Sequence, residues 1–415
     1  MLFGTLALFV FFWLFGPRLE YKVEYPPDLP PDSVAFVNML EGLAGSRLQT
    51  RNHVQVLPNG EQFYEAELAA IRTAQQSICL EAYIFLPGKV TERFLAALSD
   101  RARAGVKVHL LIDGLGSLST RLGHLQPLLD AGGRAAFYHP LRWNTWYRYN
   151  NRTHREILTV DGRIGFVGGA GFDDHWLTGK HGQPRWRDTM YRVEGESVAA
   201  LQGTFVENWL EATGEVLLGS DYFADPQQFE GDCAAMVVGS SPTAGTSTRC
   251  RVLFQTLIAA AQKSVYFTTP YFLPDTSIRH ELIRAIQRGV EVRVITTGKK
   301  TDHMLTRGSS RRLYGPLLRA GVRIYEYEPS MFHAKTMIVD GIWSVVGSTN
   351  FDNRSFSWND EVNLAIFNVE VGAELTRQFA RDVQQSRLIT LRDWRGRRAL
   401  ERATEWFGWL LERQQ

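Results

Sequence analysis

Cysteine is scarce in this 415-residue chain, and neither sign of charge prevails. The cysteines Cys79, Cys233 and Cys250 show no CxxC spacing, which argues against a zinc site, a redox site or a disulfide scaffold. Lys and Arg total 46 and Asp and Glu total 44, so the net charge is +2. This balance does not indicate a duplex nucleic-acid binder, and any recognition of anions is expected to be local.

Long hydrophobic runs are lacking apart from one, which excludes a polytopic membrane protein. Leu2–Gly16 carries no charge and as a helix would span roughly 22 Å, against roughly 30 Å for the hydrocarbon core. A basic start and a small-x-small site are absent, so we interpret residues 1–17 as an uncleaved membrane anchor. Arg18 and Lys22 favour a cytoplasmic body. A helix packed on the domain and a misassigned start remain alternatives, and the run does not decide between spanning the bilayer and lying on it.

The rest of the chain is longer than one hydrophobic core usually supports, and it contains an internal sequence repeat in two copies. The matching segments keep the same order in both copies, which indicates a duplication. They are residues 105–114 and 289–298, 128–132 and 317–321, 83–87 and 271–274, and 154–162 and 333–341.

Each copy alternates apolar strands with amphipathic helices, which predicts an α/β fold with sheets covered on both faces. The predicted strands are residues 77–85, 106–112, 265–269 and 290–296. We divide the chain into a linker and pre-domain segment (18–50), a first half (51–218), a connecting segment (219–248), a second half (249–390) and a C-terminal amphipathic helix (391–415). Packing of that last segment onto the second half is an equal alternative.

The second copy contains a pattern that favours an anion site. His333 and Lys335 are two residues apart, so on a strand they project into the same pocket. Asp340 ends the strand and is expected to hold the backbone rather than to touch substrate. The turn that follows contains Gly347, Ser348 and Asn350, where small residues and a side-chain amide allow close approach to an oxyanion.

His333, Lys335 and Asp340 spell H-x-K-x4-D, and two copies in one chain resemble the phospholipase D superfamily. The phrases at residues 57–66, 187–195, 268–275 and 314–341 are similar to those of bacterial cardiolipin synthases in particular. The resemblance implies two tandem phospholipase D-like α/β sandwich halves related by pseudo-twofold symmetry. It also implies one active site at their interface. No metal or other cofactor is expected, since the eight remaining histidines are scattered without ligand spacing.

The first copy departs from this pattern. His154 and Asp161 are present, but Glu156 stands in place of lysine and Gly171 in place of asparagine, after the glycines Gly168 and Gly169. A carboxylate 4 Å from a phosphate is repelled by about 4 kcal/mol at an effective dielectric constant near 20. We expect a nearby base to neutralise Glu156, or else a weakened first half that leaves a slow enzyme or one with altered acceptor preference. The candidate bases are Arg152, Arg155, Arg185 and Arg187.

The resemblance also implies a mechanism through a phosphohistidine intermediate. The usual assignment in the family implies that His154 is the nucleophile and His333 the general acid and base, and the reverse assignment stays open. Lys335 and Asn350 would hold the non-bridging oxygens, and the carboxylates Asp188 and Glu361, which follow the respective motifs, would orient the histidines. The expected catalytic set is His154, His333, Lys335, Asp161, Asp340, Asp188 and Glu361, and the expected substrate-binding set is Glu156, Gly168, Gly169, Gly347, Ser348 and Asn350.

Aromatic residues and arginines interleave at residues 137–152, just before the first motif. This composition suits a lipid headgroup interface, single-stranded nucleic acid or a folded loop with core aromatics, and we favour the lipid. The residues concerned are Trp143, Trp146, Tyr147, Tyr149, Arg142, Arg148 and Arg152. His303, on a polar loop after a strand end, is a candidate for the lipid entrance or a solvated residue.

Three hypotheses about function follow. The favoured one is a membrane-associated phosphatidyltransferase that passes a phosphatidyl group, with phosphatidylglycerol as the expected donor, to a lipid alcohol at the cytoplasmic side of the cell membrane. The alternatives are a hydrolytic phosphodiesterase or nuclease, and a non-catalytic lipid-binding protein with a degenerate first motif. We expect phospholipids and the membrane as partners and no nucleic acid. An oligomer is not required, because one chain supplies both histidines.

Overall fold

The computed structural model describes residues 21–26, 29–143, 148–180, 182–242, 248–397, 401, 402 and 405. The expected anchor at residues 1–17 lies outside these ranges. Among the helices that the structure describes, none is long and apolar enough to cross a membrane.

The first half alternates strands and helices as the sequence predicts, and a preceding helix leads into it. The elements are α1 (Val34–Ala44), β1 (Gln49–Pro58), α2 (Gly60–Thr73), β2 (Ser77–Ala82), α3 (Lys89–Arg103), β3 (Lys107–Asp113), α4 (Leu122–Asp130), β4 (Arg134–Tyr138), β5 (Arg152–Thr153), β6 (Ile157–Val160), β7 (Ile164–Gly168), β8 (Thr189–Gly195) and α5 (Ser197–Thr213).

The second half repeats this order from its first strand onwards. Its elements are β9 (Cys233–Ser240), α6 (Arg249–Ala260), β10 (Ser264–Thr269), α7 (Thr276–Gln287), β11 (Glu291–Thr297), α8 (Met304–Ala320), β12 (Arg323–Tyr327), β13 (Thr336–Val339), β14 (Trp343–Gly347), α9 (Asn353–Ser357), β15 (Asn359–Phe367), α10 (Val369–Gln384), β16 (Ser386–Ile389) and α11 (Leu391–Arg395).

The strands of both halves form one continuous sheet. Its order is β16-β12-β11-β10-β13-β14-β15-β9-β1-β8-β7-β6-β2-β3-β4, and β5 pairs with β15. Read outwards from the β9–β1 junction, the order β9-β15-β14-β13-β10-β11-β12 mirrors β1-β8-β7-β6-β2-β3-β4. The last three strands of each order, β10-β11-β12 and β2-β3-β4, are parallel, and the strands next to them, β13 and β6, are antiparallel to them. In the second half, β16 adds an antiparallel strand outside β12. The duplication therefore corresponds to two equivalent sheets that join edge to edge.

Hydrophobic cores lie on both faces of this sheet. Phe63, Phe94 and Leu110 belong to a core between the first half and its helices α2 to α4. Phe254 and Leu282 belong to the corresponding core of the second half. A third core takes strand residues from both halves, and its members include Val56, Val193, Ile338 and Leu364. The halves are thus packed together by apolar side chains as well as joined through the sheet.

Two segments that the sequence analysis treated as connections have defined structures. In the segment 18–50, α1 packs into the core of the second half through Phe36 and Leu40, and the Trp343 indole donates to the Pro31 carbonyl at 2.8 Å. In the segment 219–248, β9 pairs with β15 and takes the place that β1 has in the first half. The connecting segment therefore contains the first strand of the second half.

The described part of the C-terminal segment 391–415 packs on the second half. The Trp394 indole donates to the Arg311 carbonyl at 2.7 Å and lies against Gly315 of α8. Trp406, Phe407 and Trp409 lie outside the described residues.

Candidate active site

The backbone of each motif histidine is held by the opposite half of the protein. The His154 N–H donates to the Asp360 carbonyl at 2.9 Å, and the His333 N–H donates to the Arg187 carbonyl at 2.7 Å. The residues after those carbonyls are Glu361 and Asp188. Each histidine is consequently fixed beside a carboxylate that comes from the other copy of the repeat.

The side chains pair in the same crossed way. Nδ1 of His154 lies 3.1 Å from Oε2 of Glu361, and Nδ1 of His333 lies 2.8 Å from Oδ2 of Asp188. Both carboxylates are fully buried. A carboxylate on Nδ1 orients an imidazole and leaves Nε2 free for chemistry. The sequence order, in which each carboxylate follows its own motif, did not indicate this exchange between halves.

Asp188 is held by donors besides His333. The Trp176 indole donates to Oδ2 at 2.9 Å, and the Thr189 N–H donates to Oδ1 at 2.8 Å. Burial acts to raise the pKa of Asp188, but the hydrogen bond from His333, together with the charges of His333 and Lys335, lowers that pKa overall. Asp188 is therefore ionised and able to fix the His333 ring.

Glu361 has an equivalent environment in the second half. The Ser348 hydroxyl donates to its Oε2, and the Asn359 amide lies 3.4 Å from its Oε1. Burial raises the pKa of Glu361, but the charge and hydrogen bond of His154 and the Ser348 bond lower it overall. Ser348, expected to approach an oxyanion, instead supports this carboxylate, and its own N–H donates to the Val362 carbonyl at 3.0 Å.

Both histidines line one cavity of about 590 Å³. Three further predicted site residues, Glu156, Gly169 and Asn350, also line it. The remaining lining residues are Tyr83, Ile84, Arg152, Trp176, Trp186, Tyr271, Asp302, His303, Met304, Leu305, Thr306, Asp352, Arg354, Ser355 and Asn359.

Nζ of Lys335 lies close to both nitrogens of the His333 ring. Its Nζ is 3.0 Å from Nδ1 and 3.3 Å from Nε2 of that ring, and it donates to the His333 carbonyl at 2.9 Å. Burial lowers the pKa of His333 and the Lys335 cation lowers it further, although Asp188 opposes both. Burial also lowers the pKa of Lys335 itself. A Cβ on Gly169 would come within 2.6 Å of Nζ, so glycine leaves room for the lysine.

None of the four arginines proposed to neutralise Glu156 does so. Burial raises the pKa of Glu156 well above its usual range and so favours the neutral carboxyl group, although the Tyr83 N–H and the Lys335 cation act to lower that pKa. Each of the four arginines forms an ion pair with a different acid: Arg152 with Asp113, Arg155 with Glu207, Arg185 with Glu61 and Arg187 with Asp382. The expectation of an arginine partner was wrong because all four arginines pair with other acids, and burial instead favours a protonated Glu156.

Asp161 and Asp340 lie away from the cavity, although they belong to the motifs. Asp340 accepts backbone N–H groups from Gln262, Lys263 and Ser264, at 2.7–2.9 Å. Asp161 does the same for residues 75–77, at 2.7–3.0 Å. Both residues have positive φ, 53° and 55°. We therefore correct their expected catalytic role to a structural one, as the position of Asp340 at a strand end had indicated.

The glycines Gly168 and Gly347 also lie outside the cavity lining. A Cβ on Gly347 (φ 156°) would come within 2.2 Å of the Val362 carbonyl oxygen, and one on Gly168 within 3.0 Å of the Met190 Cα. Both glycines permit close strand packing next to the site. Their expected role in binding substrate is replaced by this packing role.

Several cavity residues were missed by sequence reasoning. The rings of Trp176 and Trp186 lie 5.4 Å from the His333 ring, and the Tyr83 ring lies 5.3 Å from the His154 ring. Tyr83 and Tyr271 occupy matching positions of the repeat, a signal that marked them only as part of the duplication. The tryptophans have no matched spacing that would have singled them out.

The aromatic stretch at 137–152 is only partly available for lipid. Trp143 is 90% exposed and Tyr149 54% exposed, whereas Arg152 is fully buried and Arg148 pairs with Glu211 at 3.1 Å. Trp146 and Tyr147 lie outside the described residues. His303, in contrast, lines the cavity.

The comparison with known proteins agrees with this geometry. The family model described as "Cardiolipin synthase, PLD-like domain" matches residues 68–182 and 254–383. Probable cardiolipin synthase YwiE of Bacillus subtilis is 33% identical over 348 residues, which are 84% of this chain and 69% of that protein. Cardiolipin synthase A of Pseudomonas fluorescens is 34% identical over 341 residues, 81% of this chain and 70% of that protein.

A solved structure supports the fold independently. Phosphatidylserine synthase from Haemophilus influenzae Rd KW20 superposes with a TM-score of 0.70 at 15% sequence identity, covering 91% of this chain and 100% of that one. At this identity the likeness concerns the fold alone. The family match, the relatives and the duplicated fold agree, and the chain belongs to the cardiolipin synthase family of phospholipase D-like proteins.

Proposed function

We propose that this protein transfers a phosphatidyl group to a lipid alcohol, as a phosphatidyltransferase of the cardiolipin synthase type with phosphatidylglycerol as donor. One observation carries the proposal: two imidazoles line a single cavity, each with a buried carboxylate on Nδ1. Such a pair supplies one group to attack phosphorus and one to move the proton of an alcohol. The relatives that are named cardiolipin synthases give the substrate class.

The surroundings of the two rings favour His333 as the nucleophile, the reverse of the assignment that family habit suggests. Attack requires a neutral imidazole, and burial together with the nearby Lys335 cation lowers the pKa of His333. The Nδ1–H of a neutral ring donates to Asp188, so the lone pair that attacks phosphorus is on Nε2, which lies 3.3 Å from Nζ of Lys335. His154, with Glu361 behind it and no cation at the matching motif position, then serves as the acid and base.

The reaction has two balanced steps. Nε2 of His333 forms a bond to phosphorus while the bond from phosphorus to the leaving alcohol breaks and His154 gives that alcohol its proton. His154 then removes a proton from the incoming alcohol, whose oxygen displaces His333 from phosphorus. Lys335 and the Asn350 amide stabilise the charge on the non-bridging oxygens, where phosphoryl transfer chiefly needs it.

Apolar side chains beside the histidines support a lipid substrate over a nucleic acid. Met304 and Leu305 line the same cavity and are 63% and 48% exposed. Exposed apolar side chains at a site's mouth suit an acyl chain or a bilayer surface. We include in the proposal the hydrophobic run at residues 2–16 as the membrane attachment, with the catalytic body on the cytoplasmic side.

The test is to incubate the full-length protein with vesicles that contain labelled phosphatidylglycerol. Diphosphatidylglycerol and free glycerol are the expected products, and both His154→Ala and His333→Ala should abolish them. His53→Ala, at an exposed position on β1, is the matched control and should retain full activity. Phosphatidic acid as the main product would overturn transfer in favour of hydrolysis, and unchanged lipid would overturn catalysis.

A second substrate distinguishes the roles of the two histidines. A p-nitrophenyl phosphodiester has a leaving group that departs without a proton, so His154→Ala should still release one equivalent of nitrophenol and retain a phosphoryl group on the protein. His333→Ala should release none. The opposite pattern would restore His154 as the nucleophile.

A further inference from the structure

The two motif positions that differ between the halves give the cavity an electrostatic asymmetry. The second half presents Lys335 at its motif position, and the first half presents Glu156. Glu156 is only 3% exposed and lines the cavity that holds both histidines. Lys335 therefore attracts a phosphoryl group to the second half, whereas the first half has no cation at its motif position, and its cavity-lining Arg152 pairs with Asp113.

The carboxyl group of Glu156 has one oxygen in use and one oxygen without a partner. Oε1 accepts the Tyr83 N–H at 3.1 Å. Oε2 is buried, and within the described part of the chain it has no hydrogen-bond partner. Leaving a buried polar atom unpaired costs about 1–3 kcal/mol, so such an atom in a cavity wall points to a ligand group that pairs with it.

The residues around Glu156 accommodate it and connect it to His154. Gly171, where the family carries asparagine, would with a Cβ come within 2.8 Å of Ile84 and 3.2 Å of Oε1 of Glu156. Glycine here thus leaves Glu156 its space. Tyr83, which binds Oε1 through its N–H, also places its ring against His154.

We propose that Glu156 is the residue that binds the hydroxyl groups of a polyhydroxylated alcohol, such as a glycerol headgroup, and so selects the alcohol that leaves or enters at His154. A protonated carboxyl group presents one O–H donor and one acceptor oxygen, which matches the donor and acceptor of a hydroxyl. The neutral state avoids the repulsion that a carboxylate would exert on the phosphate. In this arrangement the second half holds the phosphoryl group and the first half holds the alcohol.

The inference rests on the proposed function for the reaction in which the selection acts. Its activity test compares glycerol with propan-1-ol as acceptors for the phosphatidyl group. In Glu156→Met, kcat/KM for glycerol should fall roughly 10- to 100-fold while the value for propan-1-ol changes less than threefold. Glu156→Gln retains a donor and an acceptor and should keep most of the selectivity. Equal losses for both alcohols in Glu156→Met would overturn the proposal.

A binding measurement separates this inference from the proposed function. Glycerophosphoglycerol and its analogue with propanol in place of one glycerol share the phosphodiester and differ in two hydroxyls. The wild type should bind the first more tightly by roughly tenfold or more, and Glu156→Met should bind the two equally. If the wild type transferred phosphatidyl to neither alcohol, the proposed function would fail, and the binding ratio would still decide the role of Glu156.

Glu81→Met is the matched control for burial. Glu81 is also a buried acid whose pKa burial raises, to about 7, and its Oε2 has no partner among the described residues, but it does not line the cavity. Its substitution should leave the glycerol-to-propanol ratio of the wild type unchanged. A change in that ratio as large as that of Glu156→Met would show a general packing effect and would overturn the assignment.

Discussion

Oδ2 of Asp188, in the first half, lies 2.8 Å from Nδ1 of His333, in the second half and 145 residues along the chain. The reciprocal contact joins His154 to Glu361 across 207 residues. Neither half therefore contains a complete histidine–carboxylate pair. Each half contains one histidine and one carboxylate, and each histidine contacts the carboxylate of the other half, so the two halves depend on each other.

Asp188→Asn should lower kcat by on the order of 10²- to 10⁴-fold with little change in KM. The amide keeps the shape of the side chain but loses the charge and the tautomer control that hold His333. Steady-state kinetics on phosphatidylglycerol vesicles measures the effect. Asp100→Asn, an exposed carboxylate on α3, is the control. A loss below threefold in Asp188→Asn would show that the carboxylate does not orient the ring.

Lys335→Met should raise the pKa of His333. Removing a cation 3.0 Å from Nδ1 makes the charged imidazolium less unfavourable, so the acid limb of kcat/KM moves to higher pH with the pKa. NMR titration of the His333 ring carbons reports the pKa shift directly and needs no turnover. Their signals are assigned by comparison with His333→Ala. Lys263→Met, at an exposed position, should leave the pKa unchanged. An unchanged or lower pKa in Lys335→Met would contradict the expectation.

Asp340→Ala should reduce the free energy of unfolding by about 2 kcal/mol, because three backbone N–H groups lose their acceptor. Asp340→Asn should lose less, since it keeps one acceptor oxygen and tolerates positive φ. Urea unfolding measures both. The folded variants should retain kcat within about threefold of the wild type, and a large loss of kcat with unchanged stability would return Asp340 to the catalytic set.

Glu81 should make stability depend on pH. It is fully buried, its Oε1 accepts from Thr153 and Asn208, and burial raises its pKa to about 7. Because the folded-state pKa lies above the unfolded value, the contribution of Glu81 is fully present below about pH 4 and is lost as pH rises through about 7. The free energy of unfolding therefore decreases between pH 5 and pH 8, and Glu81→Gln should make this decrease smaller by roughly 2 kcal/mol. Glu230→Gln, at an exposed position, should leave the pH dependence of the free energy of unfolding unchanged.

Much of the fold could be predicted from the sequence, because its signals are local. Continuous β-branched strands and helical stripes such as Val90, Phe94 and Leu98 set their own periodicity, and these three residues are buried as expected. The duplication then predicted two equivalent halves. The junction strand β9 was missed because it lies in a segment whose glycine- and serine-rich end resembles a linker.

The sequence predicted the motif residues and the two carboxylates that orient the histidines, but not which carboxylate contacts which histidine. His154, His333, Glu156, Gly169 and Asn350 line one cavity, but the crossed carboxylates depend on backbone contacts between the halves, which no spacing in the sequence reveals. The raised pKa of Glu156 results from burial of its side chain, which charge counting along the chain cannot register.

The junction of β1 with β9 has a consequence for fragments of the protein. A polypeptide ending near residue 218 would present β1 with unpaired N–H and C=O groups along the edge that β9 covers in the whole chain. A bare edge of this kind recruits another strand. Two such fragments brought together along β1 would recreate the symmetric arrangement of the intact protein, so an isolated repeat is suited to self-association and the fused gene makes that pairing permanent.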